Sequence, residues 1–408
     1  MRRFLQFVLV LVLVLALAWI GLWWYAEGRI NAGFRQEEAN LRQQGWTVRH
    51  GPTLRGTSPL IARFTVADLR LTPPAHGGPP VTITVPQASF SVHAGDPATL
   101  AIDLPTRWGA ALAGGPSFTL RFDRIGGRLG FDPGTALGGG GDPLRSWRIE
   151  ASGVRLDSAN TNFTLASADS AAASVRRDPA AGAQATALAL RAHLGGFALS
   201  PIFVTLGDLP FDGKLKDFDF ALDVSGPPIA APSDTLDIPL GPLSGDEGAA
   251  ILARSWATLA PLLRPWAEAG GHGRYRLHLA LGPLDAHAAG TFGFDSRLQP
   301  KARADVTADG ISGFLGDLGN DYPALLAPVS HLTASLAPYL VKGPQGGQRL
   351  AAKLALAGGT VSANGQAVAS VPPLVWPQSP SSKQGSGKQG SGKQGSGKQG
   401  SGSAAGAQ

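Results

Sequence analysis

The stretch GWTVRHGPTLRGTSPLIARFTVADLRL, Gly45 to Leu71, decides how the chain is built. Leu60, Ala62, Phe64 and Val66 recur at every second position, the signature of a strand with one apolar face. The alternation then shifts by one residue and resumes at Leu69 and Leu71, which predicts a bulge near Ala67–Asp68. Upstream, Gly51 to Pro59 is rich in turn formers, and Gly45 is placed to cap a preceding helix. The stretch reads as the joint between an N-terminal helix and the first long strand of a sheet.

Period-two segments continue toward the C-terminus. Val81, Ile83 and Val85 form one, and Ala88, Phe90 and Val92 the next. Phe118, Leu120 and Phe122 follow, and Trp147, Ile149 and Ala151 lead on to Val154 and Leu156. Leu188, Leu190, Ala192 and Leu194 alternate, as do Phe218, Phe220, Leu222 and Val224, and then Tyr275, Leu277, Leu279 and Leu281. Short, regularly spaced strands with Gly/Pro breaks predict a mainly β, β-rich α+β fold: an elongated antiparallel meander with a few short helices. One helical insertion is expected at about 246–270, broken by Pro261 and Pro265. A short helix is expected at Ile311–Leu318 and a hairpin at Gly358–Gly359.

Toward the N-terminus, residues 7–26 carry no charged side chain. About 20 helical residues span about 30 Å, the hydrocarbon thickness of a bilayer. Residues 1–30 are therefore read as a single transmembrane anchor through Phe7, Leu11, Leu15 and Trp19, with Trp23, Trp24 and Tyr25 at the interface. Arg2 and Arg3 keep the N-terminus cytoplasmic, which puts the body in the periplasm and the anchor in the inner membrane. Ala16-Leu17-Ala18 offers a small-x-small cleavage site, but apolar residues continue through Trp24, which favours an uncleaved anchor. Residues 31–45 read as a juxtamembrane helix with Ile30, Phe34 and Leu41 near one stripe, and 46–376 as the β-rich body. Residues 377–408 contain KQGSG in tandem from Lys383 to Gly402, a composition that cannot bury a core and predicts a disordered tail.

Composition removes several classes of function. The net charge is +6, but Lys383, Lys388, Lys393, Lys398, Arg2 and Arg3 account for it and leave the body near neutral. That argues against a nucleic-acid partner, which needs a basic stripe on the folded part. There is no cysteine, so disulfides, thiol nucleophiles and Cys-based metal centres are excluded. The eight histidines form no His-x-x-x-His or His-Glu-x-x-His pair. His272, His278 and His287 cluster in sequence, with His278 on the polar side of its strand, and Asp217, Asp219 and Asp223 occupy the polar side of another. Both groups read as solvated sheet faces. Gly387 to Lys393 matches a phosphate-loop spacing only through the pentapeptide repeat. No catalytic, cofactor or metal residue is expected, and the chain is read as no enzyme.

GWTV, the Gly-x-x-Pro turn at Gly56–Pro59, WAEAGG, LALGPLDAHAAGTFGFDSRLQP and GTVSANGQAVASVPPL, in that order behind an apolar N-terminus, resemble the DUF2125 family of uncharacterised alphaproteobacterial proteins. The likeness covers about Met1 to Trp376. Thr57 and Ser58 depart from the aromatic that the family usually carries in the turn. The resemblance implies one anchor and a β-rich periplasmic body, a layout similar to that of AsmA-type envelope proteins, which are associated with lipid movement.

Two functions fit these observations. In the first, an apolar sheet face forms a groove for lipid, lined by Leu60, Phe64, Val66, Leu188, Leu190, Phe218, Phe220, Leu222, Leu277 and Leu279, with the inner membrane and phospholipid or another envelope protein as partners. In the second, the same faces close on each other, and the chain is a membrane-tethered structural or protein-interaction module.

Overall fold

The computed structural model describes residues 28, 30–56, 58, 60–74, 79–132, 144–161, 163–182, 184–207, 213–228, 256, 259–322, 326–343 and 347–377. Phe7, Leu11, Leu15, Trp19, Trp23, Trp24 and Tyr25 of the expected anchor lie outside them, as does the KQGSG tail. Among the described residues no helix is long and apolar enough to cross a membrane.

Among the described residues nineteen strands join in one antiparallel sheet. β1 (Thr47–Arg49) and β2 (Thr53–Arg55) lie end to end along β3 (Ile61–Thr72), which pairs with β4 (Val81–His93). β5 (Asp96–Asp103) and β6 (Arg107–Leu112) share the next position, and β7 (Ser117–Arg121) and β8 (Arg124–Phe131) the one after. Both of the latter lie on β9 (Leu144–Ser158). Then β10 (Thr164–Arg177), β11 (Thr186–Leu199), β12 (Lys214–Ser225), β13 (His272–Leu281), β14 (Leu284–Phe294) and β15 (Pro300–Asp309) follow as successive neighbours. β15 passes over the short β16 (Leu340–Lys342) to pair with β17 (Gln348–Ala357). β18 (Thr360–Ala363) and β19 (Gln366–Ser370) end the sheet.

The long strands are more continuous than the hydrophobic pattern suggests. Val81–Val85 and Ala88–Val92 are one strand that passes through Pro86. The expected irregularity at Ala67–Asp68 exists without an inserted residue. Asp68 has a φ of 49°, and the β3–β4 register runs unchanged across it. The left-handed residue opposite Pro86 turns the side-chain phase while every pairing on either side is kept.

Residues directly opposite in antiparallel strands point to the same face, so the register defines what each face carries. One row runs Phe64–Phe90–Ile102–Gly127–Ile149–Ala173–Ala192–Phe220–Leu277–Ala288–Val306–Ala352 across twelve strands. The next row on that face, from Ala62 through Val92, Leu100, Leu129, Trp147, Val175, Leu190, Leu222, Tyr275, Gly290 and Ala304 to Leu354, is equally free of charge. One residue away, the opposite face carries Arg63, Arg128, Arg148, Arg191, Arg276, Asp305 and Lys353 in a single row. The sheet is amphipathic from one end to the other.

Helices cover the apolar face at three places. α1 (residues 30–43) ends at Gly45, whose φ of 84° and the Trp46 N–H bond to the Leu41 carbonyl at 3.0 Å make the expected cap. Its Phe34 ring lies 5.6 Å from Phe64 and 6.1 Å from Phe90. α2 (Pro201–Gly207) follows β11. α3 (residues 259–268) runs unbroken through Pro261 and Pro265, against the expected break. The donor lost at an interior proline costs about 3 kcal/mol. That cost is offset because Trp266 and Ala267, 3% and 4% exposed, pin the helix to Leu188, Leu222, Val224 and Phe292. α4 (Ile311–Asp321), three residues longer than expected, and α5 (Leu326–Leu336) cover the other ends of β13 to β17, over Leu279, Leu284, Ala308 and Leu350.

Trp266 also donates its indole N–H to the Ser225 carbonyl at 3.0 Å and lies flat on Gly271, where a Cβ would come within 2.2 Å of the ring. Trp266→Ala should therefore lower stability by about 3–5 kcal/mol. Urea unfolding would show this as a lower midpoint, and Gly271→Ala should act in the same direction.

Candidate functional site: the two faces of the sheet

The structure distributes the ten expected groove residues unevenly. Leu60 is a correction: it precedes β3, is 62% exposed, and shares no strand face with Phe64. Its N–H faces the Ser58 hydroxyl at 3.3 Å in the turn, so the period-two pattern extended one step too far. Phe64 and Val66 are 1% and 0% exposed and belong to the core at the α1 end. Leu188 and Leu222 pack against the Trp266 cluster, and Leu279 packs under α4 and α5. Leu190, Phe218, Phe220 and Leu277 are half-buried and lie in register on neighbouring strands between these covered ends. Ile149 and Leu354, on the same face, are 38% and 37% exposed. Ile149 appeared in the sequence as a strand residue, and its β10 partners did not, because Ala/Ser alternation gives little hydrophobic contrast.

On the polar face β10 to β14 assemble a group that sequence spacing did not connect. His193, Asp219, His278 and His287 are successive cross-strand partners. His193 Nδ1 is 2.8 Å from Asp219 Oδ1, and its Nε2 is 2.9 Å from the Ser170 hydroxyl. His278 Nδ1 is 3.0 Å from Asp217 Oδ2, and its Nε2 is 2.9 Å from Asp285 Oδ1. His287 Nε2 is 3.2 Å from the same Asp285 oxygen. The His278 and His287 rings stack 4.3 Å apart at 4°. The group borders a trough of about 700 Å³ that Arg148, Arg191 and Arg276 also line. Arg191 makes a two-point contact with Asp223, at 2.7 and 3.0 Å.

The signal that could have found this pairing is the Gly282-Pro283 turn. A two-residue turn between Leu281 and Leu284 sets the hairpin register, and counting outward from it places His278 opposite His287.

Burial acts to raise the Asp219 pKa, but the hydrogen bonds from His193 and Asp217 and the charges of His193 and His278 outweigh it and hold the group below 3.8. A carboxyl with a depressed folded pKa stabilises the fold above its unfolded value and loses that contribution as pH falls through the folded one. The wild-type chain should thus lose stability more steeply than Asp219→Asn from about pH 4 downward. Urea midpoints measured in steps of pH for both chains would show the difference.

The architecture defines an open, single-sheet β protein with one apolar and one charged face. The family model described as an uncharacterised protein conserved in bacteria, DUF2125, matches residues 23–372, and the chain belongs to that family. No curated protein and no solved structure matches the chain.

Proposed function

We propose that the chain is a non-catalytic, membrane-anchored envelope protein of the periplasm that handles lipid on the apolar face of its sheet. The observation that supports this reading is the uncharged row from Phe64 to Ala352, buried under α1 at Phe64 and partly exposed from Ile102 to Ala352. Twelve strands at about 4.8 Å spacing make that row roughly 50 Å long, against about 30 Å for the hydrocarbon core of a bilayer. Ten methylenes laid on it would contribute about 8 kcal/mol before ordering costs. The closed-core reading has less support. Among the described residues all the strands belong to one sheet, and the buried clusters around Trp266 and around Ala308 join neighbouring strands to helical segments rather than to a second sheet. The partners under this reading are the inner membrane and its phospholipid.

Native mass spectrometry of detergent-extracted protein should find phospholipid bound to the wild-type chain. Ala192→Glu and Ala288→Glu, each placing a charge in the central row, should reduce the bound lipid several-fold with unchanged far-UV circular dichroism. A wild-type chain that carries no lipid would remove the proposal. Deletion of residues 1–27 should move the protein from the membrane fraction to the soluble one.

A further inference from the structure

We propose that His278, Asp285 and His287 form a binding site for a divalent first-row transition-metal ion on the polar face, independent of what the apolar face holds. The three side chains come from the β13–β14 hairpin, and each offers one ligand atom. Asp285 Oδ1 lies 2.9 Å from His278 Nε2 and 3.2 Å from His287 Nε2. Bonds of about 2.0–2.1 Å in a tetrahedral centre separate ligand atoms by about 3.3 Å, close to both of these contacts. All three ligand atoms lie within 4.8 Å of one another, and binding requires one of the two stacked rings to turn so that both Nε2 lone pairs meet at the ion.

The surroundings of His278 point the same way. Its two ring nitrogens face two carboxylates, Asp217 at 3.0 Å from Nδ1 and Asp285 at 2.9 Å from Nε2. A neutral imidazole has one N–H, so one lone pair is left facing a carboxylate oxygen. An ion between Nε2 and Asp285 removes that conflict: Nδ1–H donates to Asp217, and the Nε2 lone pair and the Asp285 oxygen both bind the metal. A carboxylate behind a histidine ligand is the usual way to fix its tautomer and ring orientation. Asp217 is on β12, so the neighbouring strand aims the ligand.

Two imidazoles and one carboxylate select zinc, cobalt, nickel or iron over magnesium and calcium. The side chains of His278, Asp285 and His287 are 27%, 54% and 54% exposed, which leaves room for water ligands and for entry from the trough.

The test is calorimetric titration of the metal-free full-length chain, purified without a polyhistidine tag, with zinc chloride. One ion per chain is expected. Asp285→Asn and His287→Ala should each weaken binding at least tenfold, and Asp217→Asn by about 10–100-fold. His331→Ala, on α5, should leave it unchanged. Cobalt(II) should give visible absorption bands in the wild type that Asp285→Asn and His287→Ala lose, with far-UV circular dichroism confirming that both variants fold. No binding by the wild type, or binding that survives both variants, would overturn the site.

Discussion

Cross-strand register is the constraint on which the rest of this structure depends. A slip of one residue moves a whole strand's apolar set to the other face. Here the phase is carried from β3 to β17 without such a slip in the central rows. The register shifts that occur fall near strand ends, as between Thr164 and Ala166, Thr186 and Leu188, and Leu215 and Asp217. Because the central rows stay in phase from strand to strand, one face gathers alanine, valine, leucine and phenylalanine there, and the other gathers arginine, aspartate and histidine.

A sheet of this kind leaves a packing problem that the helices solve only in part. α1 places Phe34 over Phe64 and Phe90, α3 places Trp266 over Leu222 and Phe292, and α4 with α5 closes over Ala308 and Leu350. Each helix covers side chains near strand ends or at the first strands. Beyond Phe64 and Phe90 the central row keeps partial exposure because no described helix packs on it, and a charge-free face of that length suits a ligand as apolar as itself.

The polar face follows from the same register by a different route. His278 and His287 meet because a two-residue turn joins β13 to β14, and Asp217 reaches them because β12 pairs with β13. The closeness of these groups comes from sheet pairing between segments about sixty residues apart along the chain, with residues 229–255 lying between β12 and α3. No spacing motif records it, and a search for His-x-x-x-His passes over it for that reason.

The sequence by itself determined the strand-rich class, the amphipathic alternation, the cap at Gly45, the helix beginning at Ile311 and the family. These are local matters: period-two patterning, a glycine at positive φ, and turn residues act within a few positions. Leu60 was misread because alternation does not mark where a turn ends, and the proline break in α3 because packing of Trp266 outweighs a missing donor. Only the tertiary structure decided that the strands form a single sheet, that Phe64 is core while Phe220 and Leu277 stay half-open, and that His278, Asp285 and His287 converge. Those outcomes depend on which strand lies beside which and on what covers each face. Pairing energies between distant segments set both, and no local pattern contains them.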